Sequence, residues 1–239
     1  MRKLTKILLL AAVALPLLVS CNKEDQPTKS ALATILPYWN EAGFTIMLDN
    51  GETMYPSRVM VDYKVKEEAQ RAFILFTEHS ETVAPYTYNV DIHGITEIET
   101  RNIDLVTSSN ENMGTDGIKV LNAYIGGGYL NIEFAVNVDP YSQNQKHVVT
   151  LVDNQIGGAP EYTSHYPLEL RFKRDHKLEE GRGMTISSIA CFRIGEYELG
   201  NLRCNGYELK FIGLENETGK DPDWTNMESV KVNVAQLTR

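Results

Sequence analysis

Period-two alternation of apolar and polar side chains runs through most of this chain and commits it to strands. Leu130, Ile132, Phe134, Val136 and Val138 alternate without a miss, and Leu168, Leu170 and Phe172 alternate with Glu169, Arg171 and Lys173. Successive side chains of a strand point to opposite faces, so this spacing gives one apolar and one polar face. Tyr86, Tyr88, Val90 and Ile92 oppose Thr87, Asn89, Asp91 and His93 in the same way, as Val59, Val61, Tyr63 and Val65 oppose Met60, Asp62 and Lys64. Phe44, Ile46 and Leu48 lead into Asp49-Asn50-Gly51, and Asn-Gly is the strongest short hairpin signal. Ala72-Phe73-Ile74-Leu75-Phe76 is continuously apolar, which predicts a strand covered on both faces. Helical periodicity is confined to a weak pattern around Ser30–Trp39. The chain is expected to be nearly all β.

A polar, helix-breaking patch at Ser108-Asn110-Asn112-Gly114-Asp116-Gly117 divides the pattern, and a domain boundary is placed there or slightly before it. Ile118–Ile125, Leu130–Val138, His147–Val152, Leu168–Phe172, Thr185–Ile194, Tyr207–Ile212 and Val230–Val234 give about seven strands, the count of an antiparallel sandwich. The first half offers about five, enough for a small, partly open barrel.

The N-terminus carries an address. A basic start (Arg2, Lys3, Lys6) precedes an apolar run from Ile7 to Val19, the order of a secretory signal peptide. Leu18-Val19-Ser20-Cys21 supplies the small residue before cysteine that a lipoprotein signal peptidase needs, so Cys21 becomes the lipid attachment site. The alternative, an uncleaved membrane anchor, needs roughly 20 apolar residues, and this run has about 13. After Cys21 the segment is polar and apolar-poor, as in a solvated tether. Lys23-Glu24-Asp25 looks like the export signal of Bacteroides-type surface lipoproteins. The expectation is an outer-membrane protein held by an N-terminal lipid and facing the cell exterior.

Removing residues 1–20 takes away three basic side chains and no acidic one, moving the formal charge from -9 to about -12. Such a chain is repelled by phosphate backbones, which argues against nucleic acid as a partner. A protein or a glycan is left as the expected partner.

Two cysteines remain after lipidation, in a compartment that permits a disulfide. A hairpin turning through Gly195 to Gly200 that aligns Ile186 with Leu209 also aligns Cys191 with Cys204 on the outward face. The two could then pair; the alternative is two free thiols.

Signals for chemistry are sparse. The chain has no Gly-x-Ser-x-Gly elbow, no His-Glu-x-x-His zinc helix and no phosphate-cradling Gly-Lys-Ser. Gly126-Gly127-Gly128 reads as a hairpin turn. The five histidines are scattered. Asp91 and His93 share a strand face and could begin a metal site or an acid/base pair, against the plainer reading of a solvated strand. Glu97 and Glu99 share a face with Arg101, the raw material for a glycan hydrolase, although strands with outward acids place such pairs by chance. Asp221 and Asp223 with Glu215 and Glu217 could gather calcium through oxygen ligands or form an ordinary acidic loop. Arg171, Lys173, Arg174, His176, Lys177 and Arg182 form a local basic patch, read either as a partner surface or as an edge guarded against aggregation. Tyr38, Trp39, Tyr55, Tyr63, Tyr86 and Tyr88 enrich the first half in aromatics, for core packing or for ligand contact. No cofactor and no catalytic residue is assigned.

Tyr124-Ile125-Gly126-Gly127-Gly128-Tyr129-Leu130-Asn131-Ile132 resembles the most recognisable segment of NigD-like proteins, lipoproteins of Bacteroides and relatives. Arg58–Tyr63 looks like that family's strand after the first hairpin, His147–Val152 like its histidine-led strand and Leu168–Arg171 like the next. Tyr124 stands where a tryptophan is usual, and Ser187–Phe192 departs from the family's strand. The resemblance implies an OB-type barrel over residues 34–106 and an Ig-like β-sandwich over 107–239, after a signal peptide (1–20) and a tether (21–33). It supplies no demonstrated activity. The family name derives from a bacteriocin-associated operon, so the readings are a non-enzymatic binding or accessory lipoprotein, an immunity or protective protein, and a cryptic glycan hydrolase.

Overall fold

The computed structural model describes residues 27–38, 43–109, 113–141, 146–175, 178, 183–214 and 227–233. Cys21, Lys23, Glu24, Asp25, Trp39 and the Glu215–Asp223 acidic segment lie outside them.

Strands β1 (Lys29–Pro37), β2 (Phe44–Leu48), β3 (Thr53–Val59), β4 (Gln70–Glu78) and β5 (Tyr88–Glu97) close into a barrel in the order β1-β2-β3-β5-β4. Its interior is Ala33, Ile35, Phe44, Ile46, Met54, Ala72, Ile74, Phe76, Val90 and Ile92, the alternate positions of each strand. Asn50-Gly51 makes the β2–β3 turn, where Gly51 takes φ 86° and its N–H donates to the Leu48 carbonyl at 3.0 Å.

The second unit stacks two sheets. One has the order β14-β13-β11-β10-β7 and the other β6-β12-β9-β8. The strands are β6 (Thr100–Asn102), β7 (Asp104–Val106), β8 (Ile118–Gly126), β9 (Tyr129–Val138), β10 (Val148–Asn154), β11 (His165–Lys173), β12 (Met184–Arg193), β13 (Gly206–Phe211) and β14 (Glu228–Asn233). Leu130, Ile132, Phe134, Leu168, Leu170, Phe172, Phe192, Tyr207 and Leu209 lie in the shared core.

Several expectations need correction. Ser30–Pro37 is a strand, because β1 pairs with both β2 and β4, and a ladder on each side outweighs a weak helical pattern. The barrel therefore begins at Lys29, inside the stretch read as tether. The alternation of Val59–Val65 ends its strand at Val59; Tyr63 and Val65 instead fold back onto the barrel core as partly buried side chains. In β4 the apolar run is covered on one face only, since Phe73 is 46% and Leu75 37% exposed. Residues 100–106, read as the end of the barrel, are edge strands of the sandwich, β6 running parallel to β12 and β7 parallel to β10.

The expected hairpin between the strands of Cys191 and Cys204 does not form. The chain leaves β12, passes through a 3₁₀ turn (Gly195–Tyr197) and a short helix (Leu199–Leu202), and enters the opposite sheet as β13, parallel to β11. Cys191 lies opposite Asn131 and Thr100, and both thiols are free. Register within one sheet was the wrong frame, because a sandwich connection can switch sheets.

Candidate functional site

Where barrel meets sandwich, a charged side chain is entirely buried. Arg71, on β4, is 0% exposed. Its Nη1 donates to Asp49 Oδ1 at 2.6 Å and Thr34 Oγ1 at 3.1 Å, and its Nη2 to Asp49 Oδ2 at 3.0 Å and Asn131 Oδ1 at 2.8 Å. A bidentate guanidinium–carboxylate pair is the strong, directional form of such contacts. The Arg71 guanidinium also lies 4.9 Å from the centre of the Tyr129 ring, a cation–π arrangement. Thr34 and Asp49 belong to the barrel, Asn131 and Tyr129 to the sandwich, so one side chain ties the two domains.

The Gly126-Gly127-Gly128 turn exists to let this happen. Gly127 and Gly128 take φ 61° and 84° between β8 and β9, the two positive values a two-residue hairpin turn favours. A Cβ on Gly126 would stand 2.7 Å from Asp49 Cβ, and one on Gly127 2.7 Å from Asp49 Oδ1. The Gly127 N–H donates to the Asp49 carbonyl at 3.3 Å, and the Tyr124 hydroxyl to Asp49 Oδ2 at 3.1 Å. The Asn131 amide nitrogen turns back to the Gly126 carbonyl at 3.4 Å. Burial, then the charge of Asp49, raises the Tyr124 phenol well above its ordinary range. Burial alone would lower the Arg71 guanidinium, but Asp49 carries it above its usual value. Cys191 adjoins Arg71; burial raises its thiol while Arg71 opposes the rise. Cys191 does point away from the sandwich core, yet it is 0% exposed because the barrel covers that face.

The same barrel elements that grip the sandwich present three tyrosines at the far end of β1. Tyr38 follows β1, Tyr55 lies on the outward face of β3, and Tyr86 sits in the loop between β4 and β5. The Tyr38 and Tyr86 hydroxyls are 3.3 Å apart, and the Tyr55 and Tyr86 rings have centroids 5.3 Å apart, tilted by 39°. Each ring is half-buried. Gly43, at φ 131°, lies under the Tyr38 ring, where a Cβ would stand 3.1 Å from two ring carbons. The Tyr86 N–H donates to the Val83 carbonyl at 2.8 Å. Asn89 is the β5 partner of Tyr55 and accepts a hydrogen bond from Ser57. In a five-stranded barrel of this order, the loops after β1 and β4 and the face of β3 are where ligands are bound. Tyr63 and Tyr88, by contrast, pack against the barrel core.

The other candidate residues are scattered. Asp91 accepts from His79 Nε2 at 2.9 Å, whereas His93 meets Thr77 Oγ1 at 3.0 Å, so Asp91 and His93 form no pair. A bulge in the β4–β5 ladder skips His93 and displaces it from the regular alternation. Glu97 binds Lys66 at 2.5 Å and Glu99 binds Arg101 at 2.5 Å, each acid matched to its own cation. In the basic patch Arg171 pairs with Glu169, and Arg174 with Asp116 at 3.3 Å; His176, Lys177 and Arg182 lie outside the described residues. Among the described residues no group of three or more His, Cys, Asp or Glu side chains could hold a metal ion, and no helix is long and apolar enough to cross a membrane.

At one end of the sandwich, Asp153 is 1% exposed and its Oδ2 accepts from Gln155 at 2.7 Å, Tyr166 at 3.0 Å and Tyr197 at 3.1 Å. Burial and then the bond to Asp153 push the Tyr166 phenol up to about 12; burial and the charge of Asp153 also raise Tyr197. Nearby, a cleft of about 720 Å³ lies over the outer sheet face, lined by Tyr162, His165, Glu208, Lys210 and Lys231 among others.

Sequence reasoning passed over Arg71, Asp49 and Asn131. The one available signal was the lone cation that opens the apolar stretch of β4, a position where a strand usually carries a solvated charge.

Residues 32–98 match the NigD-like N-terminal OB domain and residues 102–220 the NigD-like C-terminal beta sandwich domain. The comparison with curated proteins gives no match. Among solved structures, a protein of unknown function from Bacteroides vulgatus superposes with a TM-score of 0.69 at 18% identity, covering 89% of this chain and 93% of that one. A protein from Bacteroides fragilis described as a candidate lipoprotein gives 0.62 at 11% identity, covering 88% and 100%. A NigD-like immunity protein from Bacteroides caccae gives 0.54 at 13% identity, covering 84% and 91%. At these identities the likeness shows the fold alone. With both domain matches placed in order along it, the chain belongs to the NigD-like family.

Proposed function

We propose that this NigD-like protein is a cell-envelope lipoprotein that works by recognition and not by catalysis, with Tyr38, Tyr55 and Tyr86 as its contact surface. The supporting observation is the convergence of three rings from three separate segments at the barrel end, half-buried and in mutual contact. Tyrosines join a large apolar face to a polar tip, the combination favoured where one side of a contact is wet. Arg71 and Asp49 brace the strands that present them. Pull-down from intact cells tests the reading. Wild-type protein is expected to retain a partner that a Tyr55→Ala, Tyr86→Ala double variant loses; equal capture by both would move the contact surface elsewhere.

Cys21 is the proposed lipid site and Lys23-Glu24-Asp25 the signal that sends the protein to the outer face of the outer membrane. The support is the sequence order of basic start, apolar run and cysteine, together with a structural relative described as a candidate lipoprotein. Fatty-acid analogue labelling is expected in wild type and lost in Cys21→Ala. Proteinase added to intact cells is expected to remove wild type but not a variant with Lys23, Glu24 and Asp25 all changed to Ala. Resistance of wild type would place the protein on the periplasmic side.

A second reading is protection against a bacteriocin, favoured by the relative described as a NigD-like immunity protein. Deletion of the gene would then sensitise cells to that toxin, a phenotype that a pure glycan binder would not show.

A further inference from the structure

We infer that the Tyr38–Tyr55–Tyr86 surface binds a neutral oligosaccharide. The inference rests on the recognition reading above and commits it to one chemistry. Tilted, half-buried rings 5.3 Å apart offer two faces for the apolar C–H side of sugar rings. The Tyr55 hydroxyl has no hydrogen-bond partner among the described residues. Beside the rings stand Ser57, Thr87 and Asn89, which supply hydroxyl and amide groups and no charge. The nearest charged residues along these two strands, Arg58 and Asp91, answer each other at 3.6 Å, and Asp91 also holds His79. Among the described residues no cation–π contact reaches these three rings, so none of those cations is set to recognise a phosphate or carboxylate there, and the net charge of -9 disfavours anions further. The rings are also held in place before any ligand arrives: Tyr38 lies on the Gly43 backbone and Tyr86 is fixed by its turn to Val83. Such preorganisation reduces the entropy lost on binding.

The test uses the full mature chain and titration calorimetry. Probes are neutral hexasaccharides of glucose, mannose, galactose, xylose and N-acetylglucosamine, in α and β linkages, with oligogalacturonate and oligoalginate as anionic counterparts. At least one neutral hexasaccharide is expected to bind and the anionic ones are not. Tyr55→Ala and Tyr86→Ala should each weaken binding about tenfold, the loss of one stacking contact. Tyr86→Phe, which keeps the ring, should change it less than about threefold. Unchanged thermal melts would show that the variants fold. Failure of every neutral probe, binding of the anionic probes alone, or binding indifferent to both Ala variants overturns the inference. If no sugar binds while the double Ala variant still loses a protein partner from intact cells, the sugar is wrong and the recognition surface stands. If the partner is also retained, both fall.

Discussion

Arg71 places a fully buried charge at the junction of the two domains. Taking away one member of a buried pair leaves the other charged and unmatched, which costs about 3–5 kcal/mol. Arg71→Ala should lower the unfolding free energy by that order, read as a fall in the urea midpoint at unchanged slope, and Arg71→Met combined with Asp49→Leu should recover much of the loss. A milder single than double variant would show that the pair is dispensable. Glycines make a sharper contrast. Gly51 and Gly127 both have positive φ, but a Cβ on Gly51 meets nothing within 4 Å whereas one on Gly127 meets Asp49 Oδ1 at 2.7 Å. Gly51→Ala should therefore cost only the backbone strain, about 1 kcal/mol. Gly127→Ala should cost clearly more, read as a larger fall in Tm. The turn was legible in the sequence as three glycines between strands. What it packs against was not, because Asp49 lies far away in the chain and only folding brings it there.

Among the elements, those read correctly were the ones whose pattern is set by their own two faces. β2 and β11 each bury alternate positions, and a period of two is local information. Misreadings fall where a second layer changes the rule. β1 lost its alternation because Thr34 is buried under the sandwich. Cys191 looked solvent-facing because nothing in its own strand reports the barrel above it. This predicts different reactivity for the two thiols. In a chain starting at Asn22, a thiol reagent should titrate the half-buried Cys204 in the native state and Cys191 only after unfolding. Two native-state equivalents, or none in denaturant, would contradict the packing. The edge strands carry a related lesson. A fragment beginning at 107 lacks β6 and β7, one strand from each sheet, and should fold less stably than one beginning at 99.

For the molecule as a whole, tyrosines buried against carboxylates at both the junction and the sandwich end set an alkaline limit. Tyr124, Tyr166 and Tyr197 have phenols raised by burial and by Asp49 or Asp153. A raised folded-state value means that the unfolded chain loses its protons first, at about pH 10. The stabilisation is complete below that pH and is lost as pH rises through the folded value, about 12 for Tyr166. Denaturant midpoints should hold steady from pH 7 to about 9.5 and then fall, and Tyr166→Phe should flatten the fall. β1 adds a mechanical property. It runs from Lys29, where the chain enters the fold, to Pro37, beside the tyrosine surface, with β4 bonded along one side and β2 along the other. A pull between an anchor before Lys29 and a ligand held at the far end lies along that strand. It loads two hydrogen-bond ladders in shear, and a closed barrel offers no free edge from which to unzip. Drag on whatever the protein holds would thus be resisted by many hydrogen bonds at once and not by one after another.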